Sequence, residues 1–212
     1  MRILFLAATV LGLAACSSGQ RSLLYETTEG VSQPEQSCAV DPRNFAKAEP
    51  VKDFSAGNGC GVANGYRIFA SSGVSFSQPA TVTCNVANTF NSWLQDAVQP
   101  RAAEIYGSKV IAIRIAASYA CRPRNNVRGA KLSEHGMGNA IDVSGFTLAD
   151  GRVISVENDY YGSRANKEFL RTIRSEACGP FHTVLGPGSD ASHNDHLHFD
   201  LQKMRSGGPY CH

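Results

Sequence analysis

Two stretches decide how this chain is read: Ser133-Glu134-His135-Gly136-Met137-Gly138-Asn139-Ala140-Ile141-Asp142 and His193-Asn194-Asp195-His196-Leu197-His198-Phe199-Asp200. Four of the 6 histidines fall inside them. The imidazoles of His135 and His198 with the carboxylate of Asp142 supply three metal ligands, and Zn²⁺ so held keeps a fourth position open for water. Gly136, Gly138 and Asn139 allow a tight loop before the apolar run Ala140 to Phe146, so one ligand is expected on a loop and the next on a strand. The second stretch alternates. As a strand it points His196, His198 and Asp200 to one face and sends Leu197 and Phe199 to the core. Hydrolysis at such a centre also needs a group that takes and delivers protons, and Asp195, His193 and His196 are the nearest candidates. Clustered histidines also occur as purification remnants or in closed structural zinc sites. Two separated stretches of matched ligand chemistry, each set in strand-like apolar sequence, argue against both.

The first stretch fits Ser-x-His-x-x-Gly-x-Ala-x-Asp and the second contains a His-x-His pair. Together they resemble the LAS metallopeptidases, of the lysostaphin and D-alanyl-D-alanine carboxypeptidase type. From about Cys60 to Cys211 the chain resembles more closely the bacterial extensin-like C-terminal domain family. Its matching phrases are Ser118-Tyr119-Ala120-Cys121-Arg122, Gly145-Phe146-Thr147-Leu148-Ala149-Asp150-Gly151-Arg152 and Thr183-Val184-Leu185-Gly186-Pro187-Gly188. The resemblance implies zinc on His135, Asp142 and His198, at the concave face of a small sheet. It places Asp195 where several relatives carry a catalytic glutamate, and His193 and His196 where others carry catalytic histidines. Asp195 is one methylene shorter than that glutamate, so the identity of the base stays open between it and a histidine. Arg122 resembles an arginine that relatives place near the substrate, where a guanidinium stabilises an oxyanion; a solvated arginine beside Arg124 and Arg128 is its other reading. The implied activity is cleavage of amide bonds in peptidoglycan stem peptides or cross-links. The alternative is a peptidoglycan-binding or structural envelope lipoprotein with a LAS-like cleft and no hydrolysis.

The first 15 residues carry one charge, Arg2, then an apolar and small-residue run that is too short for a bilayer span and reads as an export signal. Its ending, Leu13-Ala14-Ala15-Cys16, resembles a bacterial lipobox, which implies lipidation of Cys16 and a periplasmic protein held at the outer membrane of a Gram-negative bacterium. The other reading is an ordinary secreted protein that loses Cys16 with the signal. Residues 16–37, rich in Ser, Thr, Gln and Glu, read as a tether, and 38–212 as one domain. Setting Cys16 aside from the 7 cysteines leaves Cys38, Cys60, Cys84, Cys121, Cys178 and Cys211, an even number that in an exported chain argues for disulfides. The pairing expected is Cys38 with Cys60, Cys84 with Cys121 and Cys178 with Cys211, the last fastening the C-terminal tail. A formal charge of only +2, with no interleaving of aromatic and basic residues, gives no reason to expect nucleic acid. The basic cluster Arg122, Arg124, Arg128 and Lys131 favours an anionic substrate or is a solvated loop.

The remaining elements follow from periodicity. Cys38 to Cys60 reads as irregular and turn-rich. Tyr66 to Phe76 reads as short strands or a hairpin. Pro79 can open a helix whose stripe is Val82, Val86, Phe90, Trp93, Leu94, Ala97 and Val98, interrupted or kinked at Pro100, with a short helix on to Tyr106 before Gly107. Val110 to Tyr119 is an apolar strand, Ala140 to Phe146 and Arg152 to Val156 a hairpin, Asn166 to Ala177 a helix, and Phe181 to Leu185 and His196 to Leu201 the last strands. The result is an α+β domain, an antiparallel or mixed sheet carrying the ligands with helices on its other side.

Overall fold

Leu197 and Phe199 in one strand, and Ile141 and Val143 in another, are wholly buried on the same side of the sheet that these strands share. The computed structural model describes residues 38–205 and 207–212. The export signal, Cys16 and the tether up to residue 37 lie outside the described residues. In chain order the strands are β1 (Lys47–Val51), β2 (Phe54–Gly57), β3 (Cys60–Val62), β4 (Gly65–Ser71), β5 (Val74–Thr83), β6 (Val110–Ala117), β7 (Ala140–Leu148), β8 (Val153–Ser155), β9 (Thr183–Leu185), β10 (Leu197–Asp200) and β11 (Tyr210–Cys211). The helices are α1 (Cys84–Trp93), α2 (Gln99–Tyr106), α3 (Val156–Asp159) and α4 (Arg164–Ala177).

Among the described residues one 9-stranded sheet runs β1-β4-β5-β6-β7-β10-β9-β11, with β8 paired to β7, and β2 and β3 form a ladder of their own. It is mixed: β5 with β6 and β9 with β11 are parallel, the other pairs antiparallel. The fold is α+β. Helices cover the face carrying Leu197 and Phe199. Trp93 of α1 packs on Phe199 with ring centroids 4.7 Å apart, and its indole N–H donates to the Ile173 carbonyl of α4 at 2.8 Å. Phe169, Leu170 and Ile173 turn the apolar stripe of α4 into the same core. Burying each such side chain contributes about 2 kcal/mol, so this face holds the sheet in shape for the other.

Three expectations change. Cys38 to Cys60 is not irregular: it contains β1, β2 and β3, and Pro50 fits because β1 is an edge strand whose outer N–H positions need no partner. Pro79 does not open a helix. The β-branched run Thr81-Val82-Thr83 extends β5 instead, and Pro79 is accommodated where the register jumps from Ile68↔Ala80 to Ala70↔Ser75. Residues of that bulge close onto β6, Ser77 Oγ accepting from Ile115 N at 3.0 Å and Gln78 Nε2 donating to Ile115 O at 2.8 Å. The helix starts at Cys84, capped by Thr83, whose hydroxyl accepts from Val86 N. The interruption ahead of Pro100 is one π-helical turn, Leu94–Val98, that widens the helix where proline supplies no N–H.

The last change is in the disulfides, which are Cys38–Cys84, Cys60–Cys121 and Cys178–Cys211. Only the third pairing is as expected. The reason is β1, which carries the chain across the sheet edge and leaves Cys38 beside the start of α1, where Asn88 Nδ2 donates to the Ala39 carbonyl at 3.1 Å. The β2–β3 ladder then delivers Cys60 against the turn that carries His135.

Candidate metal centre and cleft

Ser133 Oγ accepts from the His135 amide at 3.4 Å and opens a short 3₁₀ turn, Glu134–Met137. Gly138 closes it at φ 63°, a left-handed conformation that glycine adopts without strain, and a β-carbon there would stand 2.9 Å from Val62. The turn is fixed to the chain leaving β6 by Ala120 N donating to His135 O and Ser133 N to Arg122 O, both at 3.1 Å. Residue 135 is therefore held on a rigid turn while Asp142 and His198 stand directly opposite each other on β7 and β10.

His135, Asp142 and His198 are all buried, and one ligand atom from each lies within 4.8 Å of the others. His135 Nε2 is 3.2 Å from His198 Nδ1 and 3.0 Å from Asp142 Oδ2; His198 Nδ1 is 2.8 Å from Asp142 Oδ1. Around zinc, with bonds of about 2 Å, tetrahedral ligand atoms stand roughly 3.3 Å apart, so the separations fit. The outward nitrogens decide the tautomers. His135 Nδ1 lies 2.6 Å from the Ser118 carbonyl, which can only accept, so Nδ1 carries the proton and Nε2 offers a lone pair inward. His198 Nε2 donates to Asp200 Oδ2 at 3.0 Å, which leaves Nδ1 facing inward. Two imidazole lone pairs and a carboxylate thus meet at one buried point, an arrangement that requires a positive charge there, and the outward bonds are of the kind that orient metal ligands.

The electrostatics agree. Burial pushes the Asp142 carboxyl up, but hydrogen bonds from His135 and His198 outweigh it and hold the group well below the usual carboxylate range. Burial pulls the His198 imidazole down, yet the Asp142 and Asp200 carboxylates raise it to about 9.

The centre opens into a cleft of about 680 Å³. His193, His196, Asp195 and Arg122, the other candidates from the sequence, all line it. His196 precedes β10 rather than sitting on it; its Nδ1 donates to Asp195 Oδ1 at 2.7 Å, and its Nε2 is 3.6 Å from Asp142 Oδ2. His193 Nδ1 donates to Asp190 Oδ1 at 2.8 Å. Burial pulls the His193 imidazole below its ordinary value, more than Asp190 restores it. Asp195 is two-thirds exposed and turned to its neighbour's ring.

Sequence reasoning named Asp200 on the ligand face without giving it a role, and missed Ser118, Asp190, Glu134, Gln202 and Thr183. The alternation His198-x-Asp200 was the available signal for Asp200. For Ser118 none existed, because its carbonyl, not its side chain, makes the contact.

A family model described as Extensin-like protein C-terminus matches residues 36–212. No curated protein matches the chain, and no solved structure does. The match extends from ahead of the first described residue to the last residue of the chain, so it takes in both ligand stretches, the cleft and all three disulfides. The chain belongs to the Extensin-like protein C-terminus family.

Proposed function

We propose that the protein is a zinc-dependent hydrolase of amide bonds in peptidoglycan stem peptides or cross-links, exported to the periplasm and anchored by lipid on Cys16. The observation that carries this reading is the pair of preset imidazoles. His135 and His198 each spend one nitrogen on a fixed outer acceptor and aim the other at Asp142, at the floor of an open cleft. The centre's position on one sheet face with helices on the other is also what the likeness to LAS metallopeptidases implies, and that likeness supplies the substrate class.

His135, Asp142 and His198 would hold the zinc, which when bound supplies a Lewis acid and lowers the pKa of water to about 7. The protein's own groups do the rest. His196 keeps Nε2 free beside the centre while Asp195 fixes the ring through Nδ1, so His196 is the group that takes and returns a proton, and Asp195 orients it. His193, held by Asp190 and with its imidazole pulled below its ordinary value by burial, is a second proton carrier lining the same cleft. Arg122, which lines the cleft, would stabilise charge that develops on the carbonyl oxygen. Three disulfides joining all six cysteines of the described region fit an oxidising compartment.

The test is metal content by mass spectrometry together with digestion of isolated peptidoglycan before and after chelation. One zinc per chain and chelator-sensitive release of new amines and carboxylates is the expected result. Cleavage that persists in metal-free His135→Ala protein would overturn the reading. Sedimentation with the cell wall and no products at full zinc loading would favour the binding lipoprotein instead.

A further inference from the structure

We propose that Arg174 and Ser189 are positioning residues for His193: they clamp the chain that carries Asp190 and His193, and so fix where the His193 imidazole stands beside the His135–Asp142–His198 centre. What that ring does for catalysis rests on the hydrolase reading. Where it stands does not.

The clamp is built on Gly186-Pro187-Gly188-Ser189, a turn that leaves β9 and is closed by Ser189 N donating to Gly186 O at 2.9 Å. Arg174 of α4 reaches it with both arms of its fork. Nη1 donates to the Pro187 carbonyl at 3.1 Å and to the Tyr160 hydroxyl, and Nη2 donates to Ser189 Oγ at 2.9 Å. All three partners are neutral, so the planar guanidinium serves here by its fixed donor geometry rather than by pairing a charge. Ser189 Oγ also accepts from the Gly186 amide at 2.9 Å and gives its own proton to the backbone oxygen of His212. The one donor and two acceptor positions of the hydroxyl are thereby all used. His212 is held in turn by its amide on the Val184 carbonyl at 3.0 Å and by the adjacent Cys178–Cys211 disulfide. Space fixes the turn as well as bonding: a β-carbon at Gly186 would stand 2.8 Å from Leu197 Cδ2 and 3.2 Å from Arg174 Nε.

The residue after Ser189 is Asp190, whose Oδ1 accepts from the Ser192 amide and from His193 Nδ1, both at 2.8 Å. These contacts are local. They fix the ring relative to its own short turn, Ala191–His193, and not relative to the sheet. Two attachments place that turn: β10, which begins at Leu197, and the clamp, which ends at Ser189. The clamp is the nearer, because only Asp190 lies between it and the turn, whereas Asn194, Asp195 and His196 lie on the other side. The ring itself is buried at the cleft, with its centroid 5.5 Å from that of His198 and 5.2 Å from that of His196. Asp190 accepts the Nδ1 proton, so Nε2 keeps its lone pair. Any shift of the turn carries that lone pair away from its place in the cleft, and a displacement of about 1 Å can cost roughly 100-fold in rate.

The test is NMR of the zinc-loaded full chain carrying ring-labelled histidine, with His193 assigned by its loss in His193→Ala. The His193 ring should be a single tautomer with its proton on Nδ1, and so should His135, whose Nδ1 bonds the Ser118 carbonyl elsewhere in the chain. In Arg174→Gln and in Ser189→Ala the His193 signals should move towards the average of two tautomers, while His135 and the zinc content stay as they are. Arg101→Gln, which removes a guanidinium bound to Glu176 of the same helix, should leave His193 unchanged. On soluble peptidoglycan fragments Arg174→Gln should lower kcat about 10- to 100-fold at constant KM. In a His193→Ala background it should lower kcat no further, because the two residues act as a unit. A His193 tautomer that survives either substitution overturns the clamp, and so does a loss that multiplies with that of His193→Ala. If Arg174→Gln does not fold, Ser189→Ala decides by the same signals. A wild-type chain that takes up zinc and cuts nothing sinks the hydrolase and leaves the ring signals to decide the clamp. Turnover with an undisturbed ring in the variants does the reverse.

Discussion

At the scale of single residues, the proposed metal centre depends on groups that would not touch a cation held there. Asp200 fixes His198 by accepting from Nε2. In Asp200→Ala the ring loses that orientation, and zinc affinity should fall about 10- to 100-fold in competition with a chromophoric chelator, the cost usual for removing such a partner. His196 and Asp195 differ in the same way. His196→Ala should lower the turnover number by about 10²- to 10⁴-fold with zinc content unchanged, the contribution of a proton-transfer group. Asp195→Asn, which only loosens the ring, should cost far less; an equal loss would transfer the role of base to Asp195. The cluster of His135, Asp142 and His198 was legible in the sequence because imidazole and carboxylate are recognisable by type and spacing. Their supports were not: a backbone carbonyl at Ser118 and a loop carboxylate at Asp190 carry no local signature.

Elements were legible where one periodicity ran undisturbed, as in β6, β7 and α4, and illegible where two principles competed. Pro79 is a good first-turn residue for a helix, but β-branched Thr81, Val82 and Thr83 have a sheet to join, and the bulge before them spares proline a ladder position. The boundary therefore falls at Thr83, and Thr83→Ala should destabilise the protein by about 1 kcal/mol in urea titration through loss of the α1 cap. The β7–β8 turn was read correctly, and its chemistry is now explicit. Arg152 hydrogen-bonds the Asp150 side chain from both its side chain and its amide, and together these lower the Asp150 carboxyl from 3.8 to about 2. Its contribution to the turn is complete above the ordinary value and is lost as pH falls towards 2. Carboxyl-detected NMR should find the Asp150 midpoint near 2, returning towards 3.8 in Arg152→Ala.

On the scale of the whole molecule, the sheet supplies Asp142 and His198 in facing register, and the third candidate ligand, His135, comes from a turn that the sheet does not contain. That turn needs an anchor, and Cys60–Cys121 provides it. Cys121 follows directly on Ala120, whose amide donates to the His135 carbonyl, and a β-carbon at Gly136 would meet Cys60 Sγ at 3.2 Å, so the disulfide packs against the turn itself. The pairing was not legible because it depends on β1 crossing the edge, which an apolar-periodicity argument cannot see in a strand reading Lys-Ala-Glu-Pro-Val. The three disulfides span 46, 61 and 33 residues, so the chain-entropy model gives each about 4 kcal/mol and barely separates them. Geometry does separate them. Cys38→Ala/Cys84→Ala and Cys60→Ala/Cys121→Ala should lose similar stability in denaturant, while only the second should also lose zinc affinity under conditions where both remain folded. Equal zinc binding by the two folded double variants would show that the turn holds His135 without the disulfide, and that its anchor is the backbone bond to Ala120 alone.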